Sequence, residues 1–144
     1  MKYLIVIIFS LFISSYNSQT YFQQYQKLAD SLESVYGIPS SVMMGVAYIE
    51  SGGGRSYLAR YSNNHFGIKG HNPKYRTSYR YFESDTASYT SFCELISRQK
   101  FYEKLKGNEN PNHWVTYISR SGYAGSSTRW GPAVISIISR NKLM

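Results

Sequence analysis

Residues 47–70 read AYIESGGGRSYLARYSNNHFGIKG, and both the fold and the site turn on this stretch. A single glutamate, Glu50, ends an apolar run and stands directly before Ser51 and three glycines, Gly52 to Gly54. Just upstream, SSVMMGVAYIES places Met43, Val46, Ala47 and Glu50 at spacings of three, four and seven, which share one face of a helix. The spacing predicts a helix that carries Glu50 at the end of its buried stripe and stops at Gly52. A carboxyl so placed is partly desolvated, which disfavours its charged form and raises its pKa. The partial negative charge of a helix C-terminus pushes the same way. Two readings stand side by side: a solvated glutamate in a last helical turn, or an acid of the kind that protonates a glycosidic oxygen. The glycines either admit a bulky substrate to the carboxyl or form a permissive turn.

Working outward, the chain reads as helices joined by short loops. Phe22, Tyr25, Leu28, Leu32 and Tyr36 recur at helical spacing, Gly37 closes that helix and Pro39 starts the next. A further helix is expected over ESDTASYTSFCELISRQ, capped by Ser84 or Asp85, with Tyr89, Phe92, Leu95 and Ile96 inward. HWVTYISR forms a short helix that stops at Gly122. STRWGPAVISIISRNKL forms the last, opened by a capping Ser or Thr and carrying Val134, Ile135 and Ile138. Only KYRTSYRYF alternates at period two. No internal repeat or linker interrupts the chain, which predicts a single, mostly helical domain.

The length of 144 residues fits one domain able to bury a core without disulfides or metals. Lys and Arg number 16 against eight Asp and Glu, a formal net charge of +8 that favours polyanionic partners: nucleic acid, anionic membrane or wall polymer. The lone cysteine, Cys93, excludes an internal disulfide and a cysteine-based zinc site, and reads as a buried small hydrophobe. With three histidines, His65, His71 and His113, and no acidic cluster, no metal and no cofactor are expected. Met1-Lys2 followed by the apolar run YLIVIIFSLFI and the polar SSYNSQT reads as a secretory signal over residues 1–19, leaving residues 20–144 as the domain. The run falls short of the roughly 20 apolar residues of a membrane span, so a secreted or periplasmic, envelope-associated monomer is expected.

GIPSSVMMGVAYIESGGGRSYLARYSNNHFGIKG resembles the bacterial glucosaminidase family, the lysozyme-like hydrolases of peptidoglycan. The family pattern of a helix ending in Glu-Ser, then Gly, Ser and Asn-x-Phe-Gly-Ile-Lys falls on Glu50, Ser51, Gly54, Ser56, Asn64, Phe66, Gly67, Ile68 and Lys69. Downstream, YRYFES resembles its arginine-aromatic-serine segment, and SGYAGSSTRWGPAVISII its Gly-Tyr-Ala segment and last helix. The resemblance spans about residues 22–142 in four ordered blocks. It implies a lysozyme-like helical domain with a short irregular or β-hairpin lobe, acting on the β-1,4 glycosidic bonds of peptidoglycan strands. It further implies that Glu50 is the general acid and that Tyr123 lines the cleft opposite it. Ser51, Asn64, Phe66 and Gly67 would shape the substrate-binding floor, where polar groups bond hydroxyls and acetamido groups and an aromatic face covers the sugar. Phe66 also reads as core, and Asn64 as a turn residue bonding its own backbone. Trp130 either stacks on sugar or packs beneath the last helix, and packing is the expectation.

The chain departs from the family at one place. Many members carry a second carboxylate on a hairpin after the Asn-x-Phe-Gly block, but GHNPKYRTSY contains no Asp or Glu. Glu83 and Asp85 are the nearest acids: each is a candidate catalytic partner, and each suits a helix N-terminus structurally, which is the expectation. The remaining routes are assistance from the substrate's own acetamido group, an intramolecular anhydro product, or His71 as a base. Behind a wall hydrolase stand a wall-binding protein without turnover and, last, a nucleic-acid binder resting on charge and aromatics alone.

Overall fold

The computed structural model describes residues 2–125 and 128–143, with side chains from Gln19 onward. Apart from Gln19, the expected signal segment lies outside the described side chains. The helices among the described residues are α1 (Lys2–Tyr36), α2 (Ser40–Ser51), α3 (Tyr57–Ser62), α4 (Asp85–Ser97), α5 (Tyr102–Leu105), α6 (Pro111–Arg120) and α7 (Trp130–Arg140). Among those residues no helix is long and apolar enough to cross a membrane.

Local chemistry explains most boundaries. Gly37 donates its amide to the Glu33 carbonyl at 2.7 Å and turns left-handed, closing α1 as its sequence suggests. Pro39 occupies the N-cap of α2, not its first turn, and its carbonyl accepts from Val42 and Met43. The Ser40 amide donates to the Glu33 carboxylate at 2.9 Å, so the end of α1 caps the start of α2. Ser84 caps α4 by accepting from the Ala87 amide, and Asn110 caps α6 through the Asn112 amide. The start of α7 corrects the sequence reading: Arg129 holds the N-cap and no side chain accepts there. Of the expected caps, Ser127 lies outside the described residues and Thr128 sits in an exposed turn. Two short helices, α3 and α5, have no counterpart in the sequence reading. At six and four residues they are too brief to develop an apolar stripe.

The core is organised around α2, whose Val42, Met43, Met44, Val46 and Ala47 are fully buried between α1 and α7. Gly45 permits this packing. A Cβ there would lie 2.8 Å from Cγ1 of Ile138 and 3.3 Å from Cγ1 of Val134, so α2 and α7 meet backbone to side chain. Tyr89, Phe92 and Ile96 of α4 are buried as expected, while Leu95 stands at the core's edge. Cys93 is buried with its thiol on the Met43 sulfur, and burial pushes its pKa up to about 12. The alternating segment KYRTSYRYF forms an irregular lobe in which one antiparallel bridge, Lys69 to Tyr79, is the sole pairing among the described residues. Gly70 to Ser78 at 2.9 Å and Arg80 to Ile68 at 2.8 Å tie its two limbs together.

Candidate active site

Glu50 lies in the last turn of α2, half-buried, at one wall of a cleft of about 760 Å³. The cleft is lined on the lobe side by Phe66, Gly67, Lys69 and Tyr79, and on the helical side by Leu95, Gln99, Tyr123 and Trp130. Trp130, the first residue of α7, donates its indole N–H to Oε1 of Glu50 at 2.6 Å. Burial raises the Glu50 carboxyl above its ordinary value of 4.5, and the Trp130 bond, which favours the carboxylate, opposes part of that rise. The close approach of α2 and α7 at Gly45 is what brings these two side chains together.

The lobe reaches the carboxyl through Gly67. Its φ is 62°, and a Cβ added to it would lie 3.6 Å from Oε2 of Glu50, so the backbone itself runs along that side of the acid. Tyr123, on the loop between α6 and α7, donates its hydroxyl to the Phe66 carbonyl at 2.9 Å, fastening the lobe to the helical side. Burial, with Glu50 close by, holds the Tyr123 phenol well above its ordinary value, so it acts as a donor and not as a base. Phe66 is buried and stacks on Phe92 with ring centroids 4.3 Å apart, serving as core and cleft floor at once.

Of the residues singled out by sequence, Glu50, Phe66, Gly67 and Tyr123 line the cleft. Ser51 and Asn64 do not. The Ser51 hydroxyl is fully buried, donating to the Ala47 carbonyl at 2.6 Å and accepting from the Gly54 amide at 2.8 Å. The Asn64 amide donates to the carbonyls of Ile68 and Arg80 and accepts from the Ile68 amide, so both its N–H groups and its oxygen go into shaping the lobe. Gly52, Gly53 and Gly54 all take left-handed φ values, of 56°, 67° and 78°, and none lines the cleft, so they form the permissive turn and not a substrate entry. Trp130 packs as expected, but its N–H also reaches the acid, a pairing across 80 positions that no local pattern in the chain encodes.

Glu50 is the one carboxylate among the described residues lining the cleft. Asp85 faces elsewhere: it accepts from Tyr25 at 2.7 Å and pairs with the buried His65 at 2.9 Å, which hold it below its ordinary value of 3.8. Glu83 and His71 are exposed and do not line the cleft. Among the described residues no three His, Cys, Asp or Glu side chains converge as metal ligands.

Comparison with known proteins places this geometry in a family. Solved structures share the fold, three of them as follows. The catalytic domain of the autolysin Auto from Listeria monocytogenes superposes with a TM-score of 0.72 at 22% identity, over 88% of this chain and 85% of that one. The peptidoglycan hydrolase from Sphingomonas sp. A1 gives 0.70 at 18%, over 87% and 90%. A chain of a type VI secretion system effector-immunity complex from Pseudomonas protegens gives 0.66 at 21%, over 88% and 94%. A search of curated proteins by sequence finds no match. The lysozyme-like helical architecture with a short irregular lobe is thus the one observed. The family model described as glucosaminidase, mannosyl-glycoprotein endo-beta-N-acetylglucosaminidase, matches residues 26–143, which include every cleft residue named above. With that match over most of its length, the chain belongs to the glucosaminidase family of glycoside hydrolases.

Proposed function

We propose that this protein is an exported hydrolase of peptidoglycan that cleaves the β-1,4 bond on the reducing side of N-acetylglucosamine, with Glu50 as general acid. The observation that carries this reading is a half-buried carboxyl of raised pKa in the wall of a cleft, held by the Trp130 N–H and flanked by the Gly67 backbone. A raised pKa favours the protonated form that a general acid requires. Glu50 gives its proton to the glycosidic oxygen as the bond to C1 breaks and the electron pair leaves with that oxygen. With Glu50 the one carboxylate among the described residues lining the cleft, the oxygen of the sugar's own acetamido group attacks C1 in place of a protein nucleophile. Water then adds to C1 and returns a proton to Glu50, giving net hydrolysis. The family description and the autolysin and peptidoglycan hydrolase likenesses support this substrate. Met1-Lys2 and the apolar run after it support delivery to the envelope or beyond.

The lone carboxylate also favours a second reading, a wall-binding protein of little turnover. Incubation of the protein with purified cell walls, followed by mass spectrometry of the released fragments, separates the two. Fragments with reducing N-acetylglucosamine are expected. Reducing N-acetylmuramic acid or an anhydro end would contradict the assigned bond or mechanism, and no release at all would favour the binding protein.

A further inference from the structure

Beyond the cleft, α3 presents a face that the reaction does not use. Leu58 lines the cleft and Ala59 and Ser62 point into the core, which leaves Tyr57, Arg60 and Tyr61 outward. Tyr57 and Tyr61 are 57% and 47% exposed, unusual for large rings, yet they are ordered against each other with centroids 4.7 Å apart. Tyr75 of the lobe meets Tyr57 edge-on at 5.7 Å, and the Arg60 guanidinium lies 5.7 Å from the Tyr61 ring. These rings stand on the same two elements that wall the cleft, because α3 supplies Leu58 to it and the lobe that carries Tyr75 supplies Tyr79. The charge along this segment of the chain is one-sided. Between Glu50 and Glu83 the chain holds Arg55, Arg60, Lys69, Lys74, Arg76 and Arg80 and no acid.

We propose that Tyr57, Tyr61 and Tyr75, with Arg60, form a platform outside the cleft that holds a further length of carboxylate-bearing glycan strand. This rests on the cleft being a glycan site, as proposed above. Sugar rings present faces of C–H bonds with partial positive charge, which stack on the negative face of a phenol ring. The cations of this segment suit a strand that still carries the carboxylates of its peptide substituents, and they disfavour a neutral amino-sugar polymer. The sharing of α3 and the lobe between these rings and the cleft favours such a strand over nucleic acid, the other polyanion that aromatic and basic surfaces take.

The test uses the full chain with Glu50→Gln, so that substrate is bound and not consumed, and measures its affinity for insoluble walls and for four-sugar fragments. Tyr57→Ala with Tyr61→Ala should reduce the preference for walls over fragments about tenfold, the loss of two ring contacts. Tyr57→Phe with Tyr61→Phe should retain it, and Val35→Ala, at an exposed residue of α1, should leave it unchanged. Walls stripped of their peptides should bind more weakly than intact ones. A preference unaffected by the alanine pair would overturn the platform, as would equal binding to stripped walls. Loss of binding to a single-stranded oligonucleotide with wall binding intact would assign the face to nucleic acid instead. Failure of the unsubstituted chain to cleave walls would contradict the proposed hydrolase, whereas cleavage with tyrosine-independent binding contradicts the platform alone.

Discussion

The indole N–H of Trp130 stands 2.6 Å from Oε1 of Glu50, so the start of α7 delivers a donor to the acid at the end of α2. Burial raises the acid's pKa and this bond lowers it, so the two act in opposite directions on the proton that the proposed chemistry uses. Trp130→Phe fills most of the same space and removes the donor. The Glu50 pKa should then rise further, and the alkaline limb of the activity profile should move to higher pH. A limb that moves down would contradict the donor role.

Tyr123→Phe removes the hydroxyl that binds the Phe66 carbonyl across the cleft. Stability measured by urea unfolding should fall by about 1 kcal/mol, the usual net value of one hydrogen bond. Turnover of cell walls should fall as well, because the neighbouring Gly67 backbone that flanks Glu50 loses its anchor. Unchanged stability and unchanged turnover would contradict that fastening role.

The helix around Glu50 was legible in the chain because its stripe of Met43, Val46 and Ala47 is long and ends in a glycine that turns left-handed. The direction in which matched residues point was not. Ser51 and Asn64 occupy their places in the family pattern, but their polar atoms are consumed by backbone groups one turn or one loop away. Such inward bonding depends on the turn geometry of Gly52 to Gly54 and of the lobe, which spacing alone does not encode. The partnership of Trp130 with Glu50, and of His65 with Asp85, joins segments far apart in the chain and follows only from how the helices pack.

Asp85 belongs to a structural network and not to the cleft. Its carboxyl is held below 3.8 by His65 and then Tyr25, so its contribution to stability is fully present above the ordinary carboxylate value and is lost as pH falls through the depressed one. Asp85→Asn should therefore destabilise the protein at pH 7 and make the two proteins converge in stability as the pH falls through the depressed value. The turnover per folded molecule should stay close to that of the parent. Abolished turnover in a folded Asp85→Asn protein would mean a second catalytic carboxyl.

Gly45→Ala tests the packing that sets the site. The added methyl meets the Ile138 side chain at 2.8 Å, so that side chain or the two helices must shift, a cost of about 1 to 3 kcal/mol for overpacking. Thermal unfolding should show the loss, and because the same two helices carry Glu50 and Trp130, turnover at a temperature where the protein is folded should fall too. An unchanged melting temperature would mean that the helices adjust freely.

Glu50→Gln bears most directly on the central claim, that Glu50 supplies the proton that releases the sugar. Its carboxyl has a raised pKa, so the ionised form costs stability above the ordinary value of 4.5. The glutamine protein should therefore be at least as stable at pH 7, and the Gln carbonyl can still accept from Trp130. The measurement is the rate of fragment release from purified cell walls, compared with the parent at equal folded concentration. A fall of roughly 10² to 10⁴ with folding and wall binding intact is the expected result, the range of general acid catalysis. Release within about threefold of the parent, well short of that range, would show that the proton comes from elsewhere.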